Sequence, residues 1–370
     1  MEMLKGFIFA WLIAFSLATI AVAQNNQTGF ISLDCGIPGG SNYTDIITGL
    51  FYTSDVGYVS GGVNNSISAK YQSDSLERPY LTLTSFPIGT KNCYTLTPAQ
   101  GNLGRYLIRA SFLYGDYDDG TDQFPYFDLY IGEKYWDTVS IYNSSIPIQK
   151  EIIHTPSNDS INVCLVKINT TTPFISALEL RPLNITTYKT VLNSSMELSF
   201  RLDLGSLTNE FVRYSDDVYD RNWRPNQRQN TVIIHTTEDI LQNSFGLPLS
   251  VMSTALTPDP ETGPNPNSLS FSWYSANATD RYYLYFHFAE VVKLSETETR
   301  EFSIYINDNL FYGPMSPGYL STTTVYTLTP GSTGIERYDV LINKTEISTL
   351  PPLINAIEVF RELKGYKTDI

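Results

Sequence analysis

A strand-like pattern that occurs twice is the feature that most constrains the fold of this chain. Residues 105–112 read RYLIRASF, and residues 281–288 read RYYLYFHF. Alternate positions of both segments are apolar: Ile108, Ala110, Phe112, Leu284, Phe286 and Phe288. A period of two is typical of a β-strand that packs one face against a core. Each segment is therefore predicted to be a half-buried strand.

Two further pairs of segments match in the same order and at nearly the same spacing. Residues 127–132 match 302–307, and residues 174–180 match 353–359. Short apolar runs separated by Gly, Pro, Asn and Asp are typical of β-sandwiches and jelly rolls. We therefore predict an all-β protein with two tandem sandwich domains, at 29–186 and 199–364, joined by a linker at 187–198. Helical periodicity is weak, and residues 237–243 are the one place where a helical turn or two is expected.

The N-terminal segment has the pattern of a secretory signal peptide. Lys5 precedes an apolar run over residues 7–22, and Ala21-Val22-Ala23 supplies small residues at the cleavage site. The alternative is a membrane anchor, which needs about 20 apolar residues, and this run is shorter. We predict a signal peptide at 1–23 and a secreted or cell-surface location. No second apolar stretch reaches spanning length, so we expect no transmembrane span in the mature chain.

The net charge limits the possible partners. The 370-residue chain carries a formal charge of −14. Nucleic acids and anionic membrane surfaces require basic patches, so neither is an expected partner. After removal of the signal peptide, the remaining length suits two domains better than one core.

Sequons and cysteines are both consistent with the secretory route. Predicted glycosylation sites with the N-x-S/T pattern are Asn26, Asn42, Asn64, Asn143, Asn158, Asn169, Asn184, Asn193, Asn277 and Asn343. The three cysteines, Cys35, Cys93 and Cys164, all fall in the first domain. One disulfide and one odd thiol are expected, and all three pairings remain open. Because C-x-x-C is absent, no zinc site is expected, nor any other metal or cofactor.

Catalytic motifs are missing from the sequence. It contains no G-x-S-x-G, H-E-x-x-H, G-x-x-x-x-G-K or G-x-G-x-x-G pattern. The three histidines, His154, His235 and His287, are scattered, and His287 alternates with core positions on a predicted strand. A glycosidase with two distant carboxylates stays a minor alternative. We predict that the chain is not an enzyme.

The acidic loop at residues 114–122, YGDYDDGTD, is the sharpest local feature. Its carboxylates are suitable ligands for calcium, although the spacing does not fit the twelve-residue calcium loop. Tyrosine rings and carboxylates also suit a sugar, and a solvated hairpin connection is the third interpretation. The candidate ligand-binding residues are Tyr114, Asp116, Tyr117 and Asp118 of this loop, with Tyr52 and Asp55 from an aromatic segment predicted as a long loop.

Five segments of the chain form a recognisable set. They are Leu33-Asp34-Cys35-Gly36, Asn92-Cys93-Tyr94-Thr95-Leu96, Tyr114-Gly115-Asp116-Tyr117-Asp118, Val163-Cys164-Leu165-Val166 and residues 172–183. Together they resemble the malectin-like extracellular region of plant leucine-rich-repeat receptor kinases. The similarity covers about residues 31–364.

The resemblance implies tandem malectin-like sandwiches that form a recognition module at the plant cell surface. The ligand it implies is a cell-wall carbohydrate or, as the alternative, a secreted peptide or a co-receptor, with a membrane receptor kinase as a further partner. Members of this family usually continue into leucine-rich repeats, a membrane span and a kinase. The sequence stops at Ile370, so we expect a stand-alone ectodomain or a truncated receptor, without signalling by this chain itself.

Overall fold

The computed structural model describes residues 27–119, 123–190, 194–261 and 265–363. We call residues 27–190 repeat 1 and residues 194–363 repeat 2. The predicted signal peptide, the sequons at Asn26 and Asn193, and the end of the acidic loop at 120–122 lie outside the described residues. No helix within the described ranges is both long and apolar enough to cross a membrane.

Strands make up almost all of the regular structure, as the sequence predicts. In repeat 1 they are β1 (Ile31–Asp34), β2 (Asn42–Thr44), β3 (Phe51–Ser54), β4 (Val63–Ser66), β5 (Thr82–Ser85), β6 (Lys91–Leu96), β7 (Arg105–Phe112), β8 (Tyr126–Ile131), β9 (Lys134–Ser140), β10 (Ile148–His154), β11 (Ile161–Lys167), β12 (Phe174–Ile175) and β13 (Ala177–Leu183). In repeat 2 they are β14 (Met196–Asp203), β15 (Arg224–Pro225), β16 (Thr231–His235), β17 (Thr254–Pro258), β18 (Ser268–Tyr274), β19 (Tyr282–Phe288), β20 (Phe302–Ile306), β21 (Asn309–Met315), β22 (Thr323–Tyr326), β23 (Arg337–Lys344) and β24 (Ala356–Glu362).

The described helical elements are all short. Three 3-10 turns lie at Ala69–Tyr71, Arg78–Tyr80 and Gly101–Leu103, and one α-helical turn, α1, spans Leu249–Met252. The helical turn expected at 237–243 is not formed, so that expectation was wrong. The aromatic segment that was predicted as a loop contains strand β3.

One eleven-stranded sheet runs through both repeats. Its order is β2-β3-β1-β13-β7-β10-β14-β24-β19-β22, with β15 paired to β14. The repeats join where β10 and β14 run antiparallel, with Ile152 opposite Glu197 and Ile153 opposite Met196. We call this the shared sheet. The two sandwiches are thus connected by main-chain hydrogen bonds between strands as well as by the chain itself.

Each repeat completes its sandwich with a four-stranded sheet of its own. Repeat 1 uses β6-β11-β8-β9, and repeat 2 uses β18-β23-β20-β21. Smaller sheets, β12-β5-β4 and β16-β17, flank them. The apolar positions of β7 and β19 that the sequence singled out are fully buried, in one core cluster per repeat. The all-β sandwich prediction is confirmed.

The predicted linker at 187–198 is not a free spacer. Tyr188 is buried in the core cluster of repeat 2, and β14 already begins at Met196. Residues 191–193 lie outside the description. The segment that changes from one repeat to the other is therefore packed into the fold, while the exact domain boundaries stay predictions.

Of the three cysteine pairings left open, the structure contains Cys93–Cys164. These two residues lie directly opposite each other on the neighbouring strands β6 and β11. Cys35 is a buried free thiol. The disulfide therefore fastens the edge strand β6 to its neighbour β11 in the four-stranded sheet of repeat 1.

Candidate functional site

A row of charged side chains crosses the shared sheet on the face opposite the apolar core. In repeat 1, Glu179 lies opposite Arg109, which lies opposite Glu151 on the next strand. In repeat 2, Arg201 lies opposite Glu358. Alternating strands normally expose such a face to water, but all five of these side chains are buried. Another element of the fold must therefore cover this face.

Residues 213–223 of repeat 2, which we call the covering segment, supply that cover and place a carboxylate among three arginines. Asp220 accepts hydrogen bonds from Arg181 (2.9 Å), Arg213 (3.0 Å) and Arg109 (3.2 Å). Arg109 and Arg181 belong to repeat 1, and the carboxylate is completely buried. Charged hydrogen bonds of this kind are stronger than neutral ones and offset part of the cost of removing the ions from water.

The same network crosses the boundary between the repeats a second time. Arg201 of β14 lies 2.9 Å from Glu151 of repeat 1 and 2.6 Å from Glu358 of repeat 2. Glu358 also contacts His287 Nε2 at 3.1 Å and accepts from the Tyr188 hydroxyl at 2.8 Å. We call the connected side chains around Asp220 and Glu358 the interdomain ion network. Its geometry fixes the orientation of the two sandwiches.

The two central carboxylates of this network, Asp220 and Glu358, stay ionised over the ordinary pH range. Burial by itself would raise the pKa of Asp220, but Arg213, Arg181 and Arg109 hold it well below its usual value. Burial by itself would also raise the pKa of Glu358, but Arg201 and His287 lower it strongly. Burial lowers the pKa of His287, which favours the neutral imidazole. The carboxylates are occupied by arginines, so the network positions the domains and offers no free acid or base.

Two of the candidate ligand-binding residues are interior residues. The Tyr52 hydroxyl donates to Glu179 at 2.6 Å and so joins the interdomain ion network. Asp55 accepts from Thr84 and Tyr94, each at 2.8 Å. Both side chains are almost fully buried. Neither is open to a ligand, because strand β3, where a loop was expected, carries Tyr52 into the sheet.

The acidic loop is organised by its own hydrogen bonds over its described part. Buried Tyr114 donates to Asp118 at 2.5 Å. Asp116 accepts from Tyr71 at 2.8 Å, pairs with Lys70 at 2.7 Å and contacts Ser144. Protein donors thus occupy both of its oxygens.

Part of the acidic loop remains accessible. Tyr117 is half-buried and packs against Phe174, with the ring centroids 5.5 Å apart, while Asp118 is exposed. Two further aromatic rings are exposed, that of Phe124, which follows the loop in the sequence, and that of Tyr142. Of the six candidates, Tyr117 and Asp118 are therefore the two best placed to meet a ligand.

The sequons differ between the repeats in exposure. Six asparagines of repeat 1 are exposed, whereas the two in the described part of repeat 2 are partly buried. The exposed set is Asn42, Asn64, Asn143, Asn158, Asn169 and Asn184, and the partly buried pair is Asn277 and Asn343. Glycosylation of these sites stays a prediction.

Sequence reasoning missed the interdomain ion network, although one signal was present. Glu179 and Glu358 occupy matching positions in the repeated segments 174–180 and 353–359. Both lie on the face opposite the core, where a repeated carboxylate has no role in packing. A repeated charge on a strand is therefore a sign that a partner covers that face, but Asp220 itself lies in no repeated motif.

Comparison with known proteins places this fold in a family. The family model described as the malectin-like domain matches residues 33–362. A leucine-rich repeat receptor-like protein kinase of Arabidopsis thaliana is 41% identical over 351 residues, which are 94% of this chain and 39% of the relative. The chain thus spans about two fifths of the length of the curated relatives it matches.

Solved structures agree on the fold. The ectodomain of ANX2 from Arabidopsis thaliana superposes with a TM-score of 0.73 at 17% identity, covering 91% of this chain and 98% of that one. A chain in the complex of the plant peptide RALF23 with FER and LLG2 superposes with a TM-score of 0.68 at 16% identity, covering 92% and 98%. At this identity the likeness concerns the arrangement of the strands.

Proposed function

Because this chain belongs to the malectin-like domain family and matches the non-catalytic ectodomains of receptor-like kinases, we propose that it recognises a secreted peptide at the plant cell surface. The site geometry supports binding without chemistry, since the buried carboxylates of the interdomain ion network are all engaged by arginines. A secreted, glycosylated protein at the outer face of the plasma membrane or in the cell wall fits its predicted signal peptide and exposed sequons.

The choice of a peptide over a sugar rests on the burial of the expected sugar contacts. Tyr52, Asp55 and Tyr114 are internal, so of the residues expected to contact a sugar only those in the outer part of the acidic loop are accessible. A related fold is found in a complex with the peptide RALF23 and a second protein, LLG2. We propose by analogy that a second cell-surface protein, such as a receptor kinase, completes the complex of this chain.

A carbohydrate ligand is the second candidate, and the acidic loop is what favours it. Tyr117 is half-buried and Asp118 exposed, and the exposed ring of Phe124 packs against Tyr114 beside them. An aromatic face next to a carboxylate is a combination that binds sugar C–H faces and hydroxyls.

The two candidates are separated by offering both ligand classes to the secreted, glycosylated protein. Surface plasmon resonance against synthetic secreted plant peptides, RALF23 among them, runs in parallel with an array of cell-wall oligosaccharides. We expect saturable binding of at least one peptide and a blank array. Array binding that is lost in Tyr117→Ala/Asp118→Ala, in a variant with an unchanged melting curve, would overturn the peptide proposal in favour of the sugar.

A further inference from the structure

A groove on repeat 2 lies outside the sites considered so far. It has a volume of about 420 Å³ and runs between the covering segment of the interdomain ion network and the turn α1. Its lining includes Asp216, Thr236, Glu238, Leu249 and Ser253. We call it the α1 groove.

The α1 groove combines free negative charge with exposed apolar surface. Neither Asp216 nor Glu238 has an ion-pair partner among the described residues, whereas most carboxylates of the interdomain ion network have several. Leu249, which lines the groove, is 45% exposed. Unpaired carboxylates beside apolar side chains are suited to bind a cationic side chain and an apolar neighbour together.

One wall of the groove is held rigid by the interdomain ion network. Arg213, Asp217 and Asp220 point inward, and Asp217 accepts from Arg221 at 2.8 Å and from the Trp223 indole at 2.6 Å. Asp216 and Val218 lie on the same segment and are exposed on its outer side. The outer side chains are therefore presented on a preorganised element, which lowers the entropy that binding must overcome.

The lining of the α1 groove carries no predicted glycan. No sequon occurs between Asn193 and Asn277, a stretch that contains every residue of the groove lining. The exposed sequons belong to repeat 1.

The charge of the chain also determines which partner fits. With a net charge of −14, a second copy would meet the groove with like charge on average, which disfavours self-association. We propose that the α1 groove binds a basic segment of a secreted peptide or partner protein, with Lys or Arg at Asp216 and Glu238 and an apolar side chain against Leu249. This inference rests on the proposed function and locates its peptide-binding site in the α1 groove.

Peptides selected from a phage-displayed random library on the secreted, glycosylated protein test the proposal. Binding of each selected peptide is then measured to Asp216→Lys/Glu238→Lys and to the control Glu296→Lys/Glu346→Lys. The control reverses two exposed carboxylates outside the groove by the same total charge. We expect peptides rich in Lys or Arg beside Leu, Ile or Phe, at least about tenfold weaker binding to the groove variant, and little change in the control.

Each other outcome contradicts a different statement. Selected peptides that are not basic, or that bind the groove variant as well as the wild type, overturn the α1 groove and leave peptide recognition intact. An equal loss in both variants shows a general charge effect and also overturns the groove. If the library yields no binder while oligosaccharides bind, both the groove and the proposed peptide function fail. Leu249→Ser, an exposed and therefore mild change, should weaken the same peptides.

Discussion

At the scale of single residues, Asp220 joins side chains of both repeats. Its carboxylate is the acceptor for arginines of both repeats, and it lies 111 residues from Arg109 in the sequence. A buried ion pair adds little net stability, but removal of one partner leaves the others buried and uncompensated.

Asp220→Asn is therefore expected to lower the free energy of unfolding by about 3–5 kcal/mol, since Arg109, Arg181 and Arg213 lose their common counter-ion. Urea unfolding measures the effect. Asp216→Asn changes the same residue type in the same segment at an exposed position and should change stability by less than about 0.5 kcal/mol. Similar losses of unfolding free energy in the two variants would show that Asp220 contributes no more to stability than an exposed aspartate does.

Asp203 provides a pH-dependent prediction. Burial raises its pKa from 3.8 to about 7, and burial also raises that of Asp34, the matching residue of repeat 1, to about 6. Between pH 3.8 and about 7, an unfolded Asp203 releases its proton while the folded one keeps it. The stability that Asp203 contributes is therefore complete below pH 3.8 and is lost as pH rises through about 7.

Asp203→Asn cannot titrate and should lack this component. The difference in unfolding free energy between wild type and variant should fall with rising pH, by at most about 1.4 kcal/mol per unit. Urea unfolding at several values between pH 4 and pH 8 measures it, with the exposed Asp239→Asn as the control. A constant difference across this range would contradict the raised pKa of Asp203.

At the scale of elements, repeat 1 has a covalent connection that repeat 2 lacks. The disulfide joins β6 and β11, and the cysteines are 71 residues apart. The free thiol of Cys35 lies in the core cluster of the same repeat, and Leu204 stands at the matching position of repeat 2. The four-stranded sheet of repeat 2 is held by side-chain packing and by the hydrogen bonds between its strands.

Cys93→Ala/Cys164→Ala should destabilise the protein by about 4 kcal/mol, the loop-entropy value for a closure of this length. Hydrogen exchange followed by mass spectrometry should show faster exchange in β6, β8 and β11 than in β20 and β23, because the latter lie in the other sandwich. Cys35→Ala, which keeps the disulfide, is the control. Equal acceleration in both four-stranded sheets would indicate that the disulfide supports the whole molecule.

At the scale of the whole molecule, the two sandwiches are parts of one packed body. The shared sheet continues from β10 to β14, and Leu107, Ile153 and Leu183 of repeat 1 belong to the core cluster of repeat 2. Arg201 bridges carboxylates of both repeats. A ligand that binds one repeat therefore meets a surface whose position relative to the other is set.

We expect the mature chain to unfold in one cooperative transition, because neither repeat can lose its structure without breaking the shared sheet and the interdomain ion network. Differential scanning calorimetry should give equal calorimetric and van't Hoff enthalpies. Glu296→Lys/Glu346→Lys should leave this single transition in place. Two resolved transitions in the wild type would show that the repeats are energetically independent.

The sequence by itself determined the strands and their duplication, because side-chain alternation is a local property that each segment carries with it. The segments around Ile108 and Leu284 could be assigned from period two, and both are buried strands of the shared sheet. The odd number of cysteines likewise predicted one free thiol before its position was known.

Only the tertiary structure decided what covers the polar face of those strands. Arg109 and Glu179 look like surface residues in a strand pattern, and they are buried because a distant segment brings Asp220 onto them. Tyr52 and Asp55 were expected at a ligand site and instead serve internal hydrogen bonds. Burial on the face opposite a core depends on contacts between residues far apart in the chain, and no local periodicity encodes such contacts.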